Sequence, residues 1–406
     1  MSLLFEPFEL GGLGLPNRIV RSALYQGMAS PEGEVTEELL SAYRALSRGG
    51  SGLLITGSAY VSLDGRSGGR MLSAADDSTL SGLRKLSSIL REGGGRGILQ
   101  LFHAGRQTTQ EFTGGKTPLA PSELEEPTLG TRPRALTEGE VEGICDAFAS
   151  AARRAREAGF DGIELHAAHG YLLSQFLSPH TNRREDKWGG SLEGRLRILL
   201  EIRERTGSLA GEDFPVLVKI NTEDGIPGGL EPEGAAGVAE RLLGAGFSAV
   251  ELSGGMFEAG DFTVRKGLRP KEEEAYFLDA AREIRKRAKG PLILVGGVRS
   301  RSVAEGILAE GAADLISLGR PLTREPDLPL LWQEGKEGAD CISCNLCIMK
   351  VMRGLPNLCY DFHIGALRTA VDEGRLAPEE AKTMRLALQR EGKVPEIPGL
   401  NRSLRP

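Results

Sequence analysis

AGFDGIEL, residues 158–165, returns in varied form as AGFSAVEL at 245–252 and EGAADLISL at 310–318. In each case a helical pattern stops at a glycine, a short turn follows, and a β-branched or leucine-rich run begins. Glycine there supplies the left-handed conformation that lets the chain double back. The same unit can be traced along most of the sequence. Strands are expected at 18–23 (RIVRSA), 52–56 (GLLIT), 97–102 (GILQLF), 162–166 (GIELH), 215–220 (PVLVKI), 249–253 (AVELS), 292–297 (LILVGG) and 314–319 (DLISLG). Between most of them lie amphipathic stretches such as EVEGICDAFASAARRAREAGF (140–160). Near-continuous apolar strands alternating with helices describe a parallel sheet covered by helices. Eight such units in regular rhythm favour a closed (β/α)8 TIM barrel over an open sheet. The expected class is therefore α/β, with a barrel over 1–335. A small C-terminal extension, cysteine-rich and helical, should occupy 336–406, with one or two helices within 361–391 and an extended tail, EIPGLNRSLRP.

Composition narrows the function. The 406 residues are 40% apolar and 26% charged, with a net charge of −6 and both signs spread along the chain. No basic stripe offers itself to nucleic acid, and no run of eighteen apolar residues could span a membrane. The start, MSLLFEPFEL, carries Glu6 and Glu9 and no basic region, so no secretory signal is expected. A cytoplasmic location is the expectation. The 55 glycines are scattered at the ends of apolar runs, as many tight turns require.

A barrel takes its chemistry from the C-terminal ends of its strands. The polar residues there are Thr56, Gln100 with His103, His166 with His169, Lys219, Ser253 and Arg320. VGGVRS (295–300) and LGRP (318–321) put glycines and Arg320 after the last two strands, where exposed backbone N–H groups and a guanidinium suit a phosphate. Gln100 can pair with both donor and acceptor on the edge of a planar heterocycle, and Lys219 can stabilise negative charge on a reduced ring. HAAHGYLLSQFLSPHTNRR (166–184) holds three of the five histidines. As zinc ligands, His166 and His169 lack a third partner nearby; as packed polar residues they would need none. At the rim, two imidazoles could bind a substrate oxygen while Tyr171 delivers a proton. The rim position favours this last reading.

Four of the five cysteines, Cys341, Cys344, Cys347 and Cys359, form a C-x2-C-x2-C-x11-C pattern. In an unsecreted protein this argues for metal or cluster binding over disulfides. Three close thiolates and a distant fourth can wrap a [4Fe–4S] cube, four thiolates can hold zinc, and free thiols are the remaining alternative. Cys145 stands alone in a helical pattern, where a small buried hydrophobe is expected.

HAAHGYLLSQFLSPHTNRREDKWGGSLEGRLR (166–197), preceded by LPNRIVRSA (15–23) and QLFHAGR (100–106) and followed by LVKI (217–220), VGGVRS and LGRP, resembles the Old Yellow Enzyme family of flavin-dependent oxidoreductases over most of 3–335. That family includes the barrel domains of 2,4-dienoyl-CoA reductase and trimethylamine dehydrogenase. The resemblance implies a barrel that binds FMN. Ser22, Ala23, Leu24 and Tyr25 would line the flavin through their backbone, with Gly57 beside it. Gln100 would meet the pyrimidine edge, Lys219 the N1/O2 side, and Gly297, Gly319 and Arg320 the phosphate. The residues matching His166 and His169 bind a substrate carbonyl oxygen in ene-reductase members. The one matching Tyr171 protonates the α-carbon after hydride passes from flavin N5 to the β-carbon. The cysteine spacing is similar to that of the two named relatives, whose corresponding region binds a [4Fe–4S] cluster.

This sequence departs from the pattern at two positions. Tyr25 stands where relatives carry cysteine, threonine or histidine, which argues against a cysteinyl flavin bond. Gly27 stands where some ene-reductases have a substrate-contacting tyrosine, so a more open pocket is expected.

The function expected is an FMN-dependent oxidoreductase that reduces the C=C bond of an α,β-unsaturated carbonyl compound, with a [4Fe–4S] electron relay and NAD(P)H as a possible donor. The alternatives are a dehydrogenase of amines or other small substrates passing electrons outward, or an electron-transfer subunit of a larger complex. No dinucleotide fingerprint follows the cysteines, and GGLG at 11–14 lacks the strand–helix context for one. A redox partner protein is therefore expected, and assembly as a homo-oligomer.

Overall fold

The structure is a computed structural model that describes residues 2–268 and 271–398. Eight parallel strands form the barrel: β1 (Ile19–Arg21), β2 (Leu53–Ile55), β3 (Arg96–Phe102), β4 (Gly162–Ala167), β5 (Val216–Asn221), β6 (Ala249–Ser253), β7 (Leu292–Val295) and β8 (Leu315–Leu318). Each pairs with its successor, and β8 returns to β1 through Ile316 opposite Ile19. The eight-stranded ring closes on itself, and two short strands, Ala59–Tyr60 and Leu72–Ser73, extend the sheet beside β3. All eight expected strands are present, with ends shifted by one or two residues. LILVGG loses its last two residues from the strand because Gly296 and Gly297 turn to φ 141° and 78°.

Around the ring run α1 (Glu37–Arg48), α2 (Leu80–Arg91), α3 (Glu138–Glu157), α4 (Leu192–Ala210), α5 (Pro232–Gly244), α6 (Leu278–Arg287) and α7 (Arg301–Ala309). Their starts are written in the sequence. Thr36 caps α1 by accepting from Leu39 N, and Thr137 with Glu140 forms a reciprocal capping box on α3. Cys145, on α3, is fully buried, as its helical setting implied.

Strand side chains alternate between two environments. On β4, Ile163, Leu165 and Ala167 face the helices in the main core, while Glu164 and His166 take the other face. At the lower end of the barrel, Val20, Leu53, Ile98, Leu217, Ala249, Ile293 and Leu315 meet Leu10, Leu13 and Leu15. Those three leucines belong to an antiparallel hairpin, Phe8–Leu10 with Leu13–Leu15, that stoppers this end. Each buried side chain of this kind contributes roughly 1.5–3 kcal/mol, so the lower barrel is the rigid base. Above it the interior turns polar.

After β8 come a short helix, Arg320–Arg324, and α8 (Leu328–Gln333), then α9 (Leu346–Val351), α10 (Tyr360–Asp372) and α11 (Pro378–Glu391). This last segment lies back on the barrel mouth. Asn357 N donates to Gln26 O at 2.8 Å and Asn357 Nδ2 to Tyr25 O at 3.0 Å. Gly27, at φ 61°, is pressed against it: a Cβ there would fall 2.8 Å from Val351 Cγ2. Residues 393–398 carry no helix or strand, and the rest of EIPGLNRSLRP lies outside the described residues.

Candidate active site

Register assembles the upper barrel. Glu164 stands opposite Gln100, His166 opposite Lys219, and Lys219 opposite Glu251. Since the facing positions of neighbouring strands lie side by side, these polar groups must answer one another inside the barrel. Lys219 Nζ lies 3.1 Å from Glu251 Oε2 and donates to Ser22 Oγ at 3.1 Å. Ser22 and Ser317 hydroxyls donate to Glu251 Oε1 at 2.9 and 2.7 Å. Gln100 Nε2 donates to Glu164 Oε2 at 2.6 Å, and Gln100 Oε1 accepts from Ser58 Oγ at 2.6 Å. All of these but Ser58 are buried. Burial, followed by the neighbouring Glu251 charge, holds the Glu164 carboxyl well above the usual carboxylate range. Burial acts on Glu251 too, but Lys219, Glu164 and Ser317 outweigh it and hold that carboxyl down. Glu164 is the protonated member of the pair and Glu251 the ionised one.

The segment after β4 carries the histidines and tyrosine. His169 adopts φ 60°, a left-handed conformation that a residue with a side chain seldom takes. It is held there by its N–H donating to Asn221 Oδ1 at 2.9 Å and by Nε2 lying 2.7 Å from Ser253 Oγ. Gln107 Nε2 donates to His169 O at 3.0 Å, and Gln175 Nε2 to Gly170 O at 2.6 Å. The turn is braced on every side. The His166 ring lies 5.2 Å from that of His169 and 4.9 Å from that of Tyr171, and Phe102 packs on Tyr171 at 4.5 Å. Burial first, then the charges of His169 and Lys219, keep His166 well below the usual imidazole range. Burial and Lys219 bring His169 down to about 3. Both rings are neutral. His166 Nδ1 accepts from the Ala168 N–H at 3.4 Å, which leaves the proton on Nε2. Burial, with a smaller part from Tyr25, pushes the Tyr171 phenol up to about 12.

A cleft of about 100 Å³ opens beside this group. Ser22, Ala23, Leu24, His169, Lys219, Gly297, Gly319 and Arg320 line it. Tyr25 and Gly57 line a smaller adjoining cavity together with Ser58, the partner of Gln100. His166 and Tyr171 pack beyond the cleft wall, next to Lys219 by register and to Phe102 by contact. The residues singled out in the sequence thus converge on one end of the barrel. His103 does not join them; it is engaged with Asp64 at 3.5 Å and accepts from Gly105 N.

The cleft suits a flavin phosphate and ring. Arg299 also lines it, and its Nε and Nη1 find no hydrogen-bond acceptor among the described residues, so an anion in the cleft would satisfy them. Arg320 Nη1 is already held by Arg265 O at 2.8 Å and by Asn345 Oδ1. Backbones press together where side chains would intrude: a Cβ on Gly57 would lie 2.4 Å from Leu24 O. One on Gly319 would meet only Leu24, at 3.7 Å, leaving space above that turn. The sequence reading missed Arg299, although it sits inside VGGVRS. It also missed Glu164, Glu251, Asn221 and Ser58. For the two glutamates the signal was available, since a carboxylate within a strand buried on both faces demands a partner.

The four extension cysteines all line one cavity, with Arg320, Arg324 and Asn345. None is in a disulfide. Arg324 Nη1 donates to Cys359 Sγ at 3.5 Å. Among the described residues, no group of three or more His, Cys, Asp or Glu side chains is close enough to hold a single metal ion. Arg320 borders both this cavity and the cleft. Among the described residues, no helix is long and apolar enough to cross a membrane.

Comparison with known proteins agrees with this geometry. Residues 3–338 match the NADH:flavin oxidoreductase / NADH oxidase family. An NADH oxidase of Thermoanaerobacter brockii is 38% identical over 387 residues, covering 94% of this chain and 59% of the relative. A 2-naphthoyl-CoA reductase structure in complex with 2-naphthoyl-CoA superposes with TM-score 0.82 at 28% identity, over 88% of this chain and 56% of that one. Morphinone reductase in complex with tetrahydroNAD gives TM-score 0.69 at 29% identity, over 82% and 90%. The chain spans under three fifths of the length of the first two. It belongs to the NADH:flavin oxidoreductase / NADH oxidase family.

Proposed function

We propose that this protein reduces a C=C bond conjugated to a carbonyl group, with His166 and His169 holding the carbonyl oxygen and Tyr171 delivering the proton. The observation that carries this reading is the pair of neutral imidazoles, 5.2 Å apart, beside a half-buried tyrosine and the cleft lined by Lys219 and Arg320. When bound, FMN supplies a hydride and a [4Fe–4S] cluster supplies single electrons. A neutral imidazole donating from Nε2 stabilises an oxygen as it gains charge, and it adds no cation that would compete for the site when the substrate is uncharged. Tyr171, with its pKa near 12, holds its proton through the neutral range and releases it only to a strongly basic carbon. Gln100, Lys219 and the backbone of Ser22, Ala23, Leu24 and Tyr25 would position the ring, and Gly297, Gly319, Arg320 and Arg299 the phosphate.

Cys341, Cys344, Cys347 and Cys359 would hold the cluster. Their placement around one cavity and their C-x2-C-x2-C-x11-C spacing support that reading. Arg320, shared by both cavities, brings that cavity next to the cleft and supports electron passage between them. The 2-naphthoyl-CoA reductase and morphinone reductase likenesses support a conjugated carbonyl substrate, NAD(P)H is a fitting donor, and a redox partner protein could serve the cluster.

Anaerobically reduced protein should be reoxidised by cyclohexenone, while the oxidised form should not be bleached by trimethylamine. The opposite pair of results would turn the assignment towards amine oxidation.

A further inference from the structure

We propose that Glu251 and Glu164 are positioning residues for the flavin ring: Glu251 neutralises Lys219 beneath it, and Glu164 directs the amide of Gln100 toward its edge. The inference rests on the flavin reading above and goes beyond it, because neither glutamate borders the cleft.

Glu251 and Glu164 are both fully buried, on the two strands that flank β5. A buried lysine in the barrel interior would ordinarily face the ring as a free cation. Here its Nζ is 3.1 Å from Glu251 Oε2, while Ser22 and Ser317 occupy the other oxygen of that carboxylate. The lysine charge is therefore largely spent within the protein. Its positive field at the ring, which would favour a reduced and negatively charged ring, is damped by the adjacent carboxylate. On the other flank, Glu164 Oε2 accepts from Gln100 Nε2, and Ser58 donates to Gln100 Oε1. With both ends of the carboxamide engaged, one rotamer is selected before any ligand arrives. Glu164 Oε1 has no N–H or O–H donor in the protein. That orphaned oxygen is the place for a proton, and a protonated Glu164 does not repel the Glu251 carboxylate across β5.

The two glutamates thus divide the work. One sets charge, the other sets direction.

The test uses the FMN-loaded protein, with sulfite as the probe, since sulfite adds to an electron-poor flavin ring and is favoured by positive charge beside it. Glu251→Gln, which keeps shape and removes the charge, should raise the flavin midpoint potential and tighten sulfite binding by roughly tenfold or more. In a Lys219→Met background the same Glu251→Gln change should move sulfite affinity by less than about twofold, because the charge it unmasks is gone. FMN bound with unchanged potential and sulfite affinity in Glu251→Gln overturns this inference alone. Wild-type protein that takes up no FMN overturns the flavin reading and, with it, the inference. A second measurement needs neither flavin nor the Glu251 variant. The infrared spectrum of wild-type protein should show a protonated carboxylic acid band that shifts in heavy water and is missing from Glu164→Gln. Absence of that difference overturns the proton on Glu164 and the role given to it.

Discussion

His169 is the most constrained residue of the site, held at φ 60° by Asn221 and Ser253. Such backbone strain costs about 1–3 kcal/mol and persists only where surrounding bonds over-determine it. Its neutral ring gives a pH prediction. His169 titrates near 6.5 when unfolded and near 3 when folded, so below pH 6.5 the unfolded chain binds the extra proton. Stability contributed by keeping this ring neutral is present above pH 6.5 and is lost progressively as the pH falls towards 3. Thermal melts from pH 7 to 4 should show a steeper decline for the wild type than for His169→Asn. Tyr171→Phe should slow product protonation about 10²–10⁴-fold while flavin reduction by NAD(P)H changes little, as stopped-flow measurement of the two half-reactions would show. Equal loss in both halves would remove the proton-donor role. Such residues were legible one by one. Which of them Glu164 and Glu251 support was not, because only register across neighbouring strands sets Glu164 beside Gln100 and Glu251 beside Lys219.

At the scale of elements, the turn from β4 into the helix Leu172–Leu177 carries the site. Gly170 sits in it at φ 77°, and a Cβ there would approach Gln107 Nε2 to 2.5 Å, the same group that binds His169 O. Gly170→Ala should therefore cost about 1–2 kcal/mol in stability, seen as a lower Tm. It should also reduce enone turnover more than FMN binding, since the turn contributes only His169 to the cleft but sets both His169 and Tyr171. Strand positions were readable because apolar runs ended by glycine need little context. Strand ends were less so, as with LILVGG, where the two glycines belong to the turn. The role of the Phe8–Leu10 and Leu13–Leu15 hairpin as a stopper was beyond local reading, because its leucines gain their meaning only from residues more than two hundred positions away, such as Leu217 and Leu315.

For the molecule as a whole, the extension and the barrel mouth act on each other through Asn357, Arg320 and Val351. Protein purified without oxygen should contain about four irons and four sulfides beside one FMN. Cys344→Ser should lose most of the iron and keep the FMN, by metal analysis and flavin absorbance, because the cleft does not draw on Cys344. The sequence alone determined the barrel, the order of its strands, the end at which chemistry gathers and the residue types placed there. These follow from local periodicity and from motifs whose spacing is short. Only the tertiary structure decided which side chains meet: that Lys219 is spent on Glu251, that Nε and Nη1 of Arg299 find no acceptor among the described residues, and that the cysteine cavity shares Arg320 with the cleft. Those facts depend on register around a closed ring and on packing between distant segments, and no local pattern of residues encodes either.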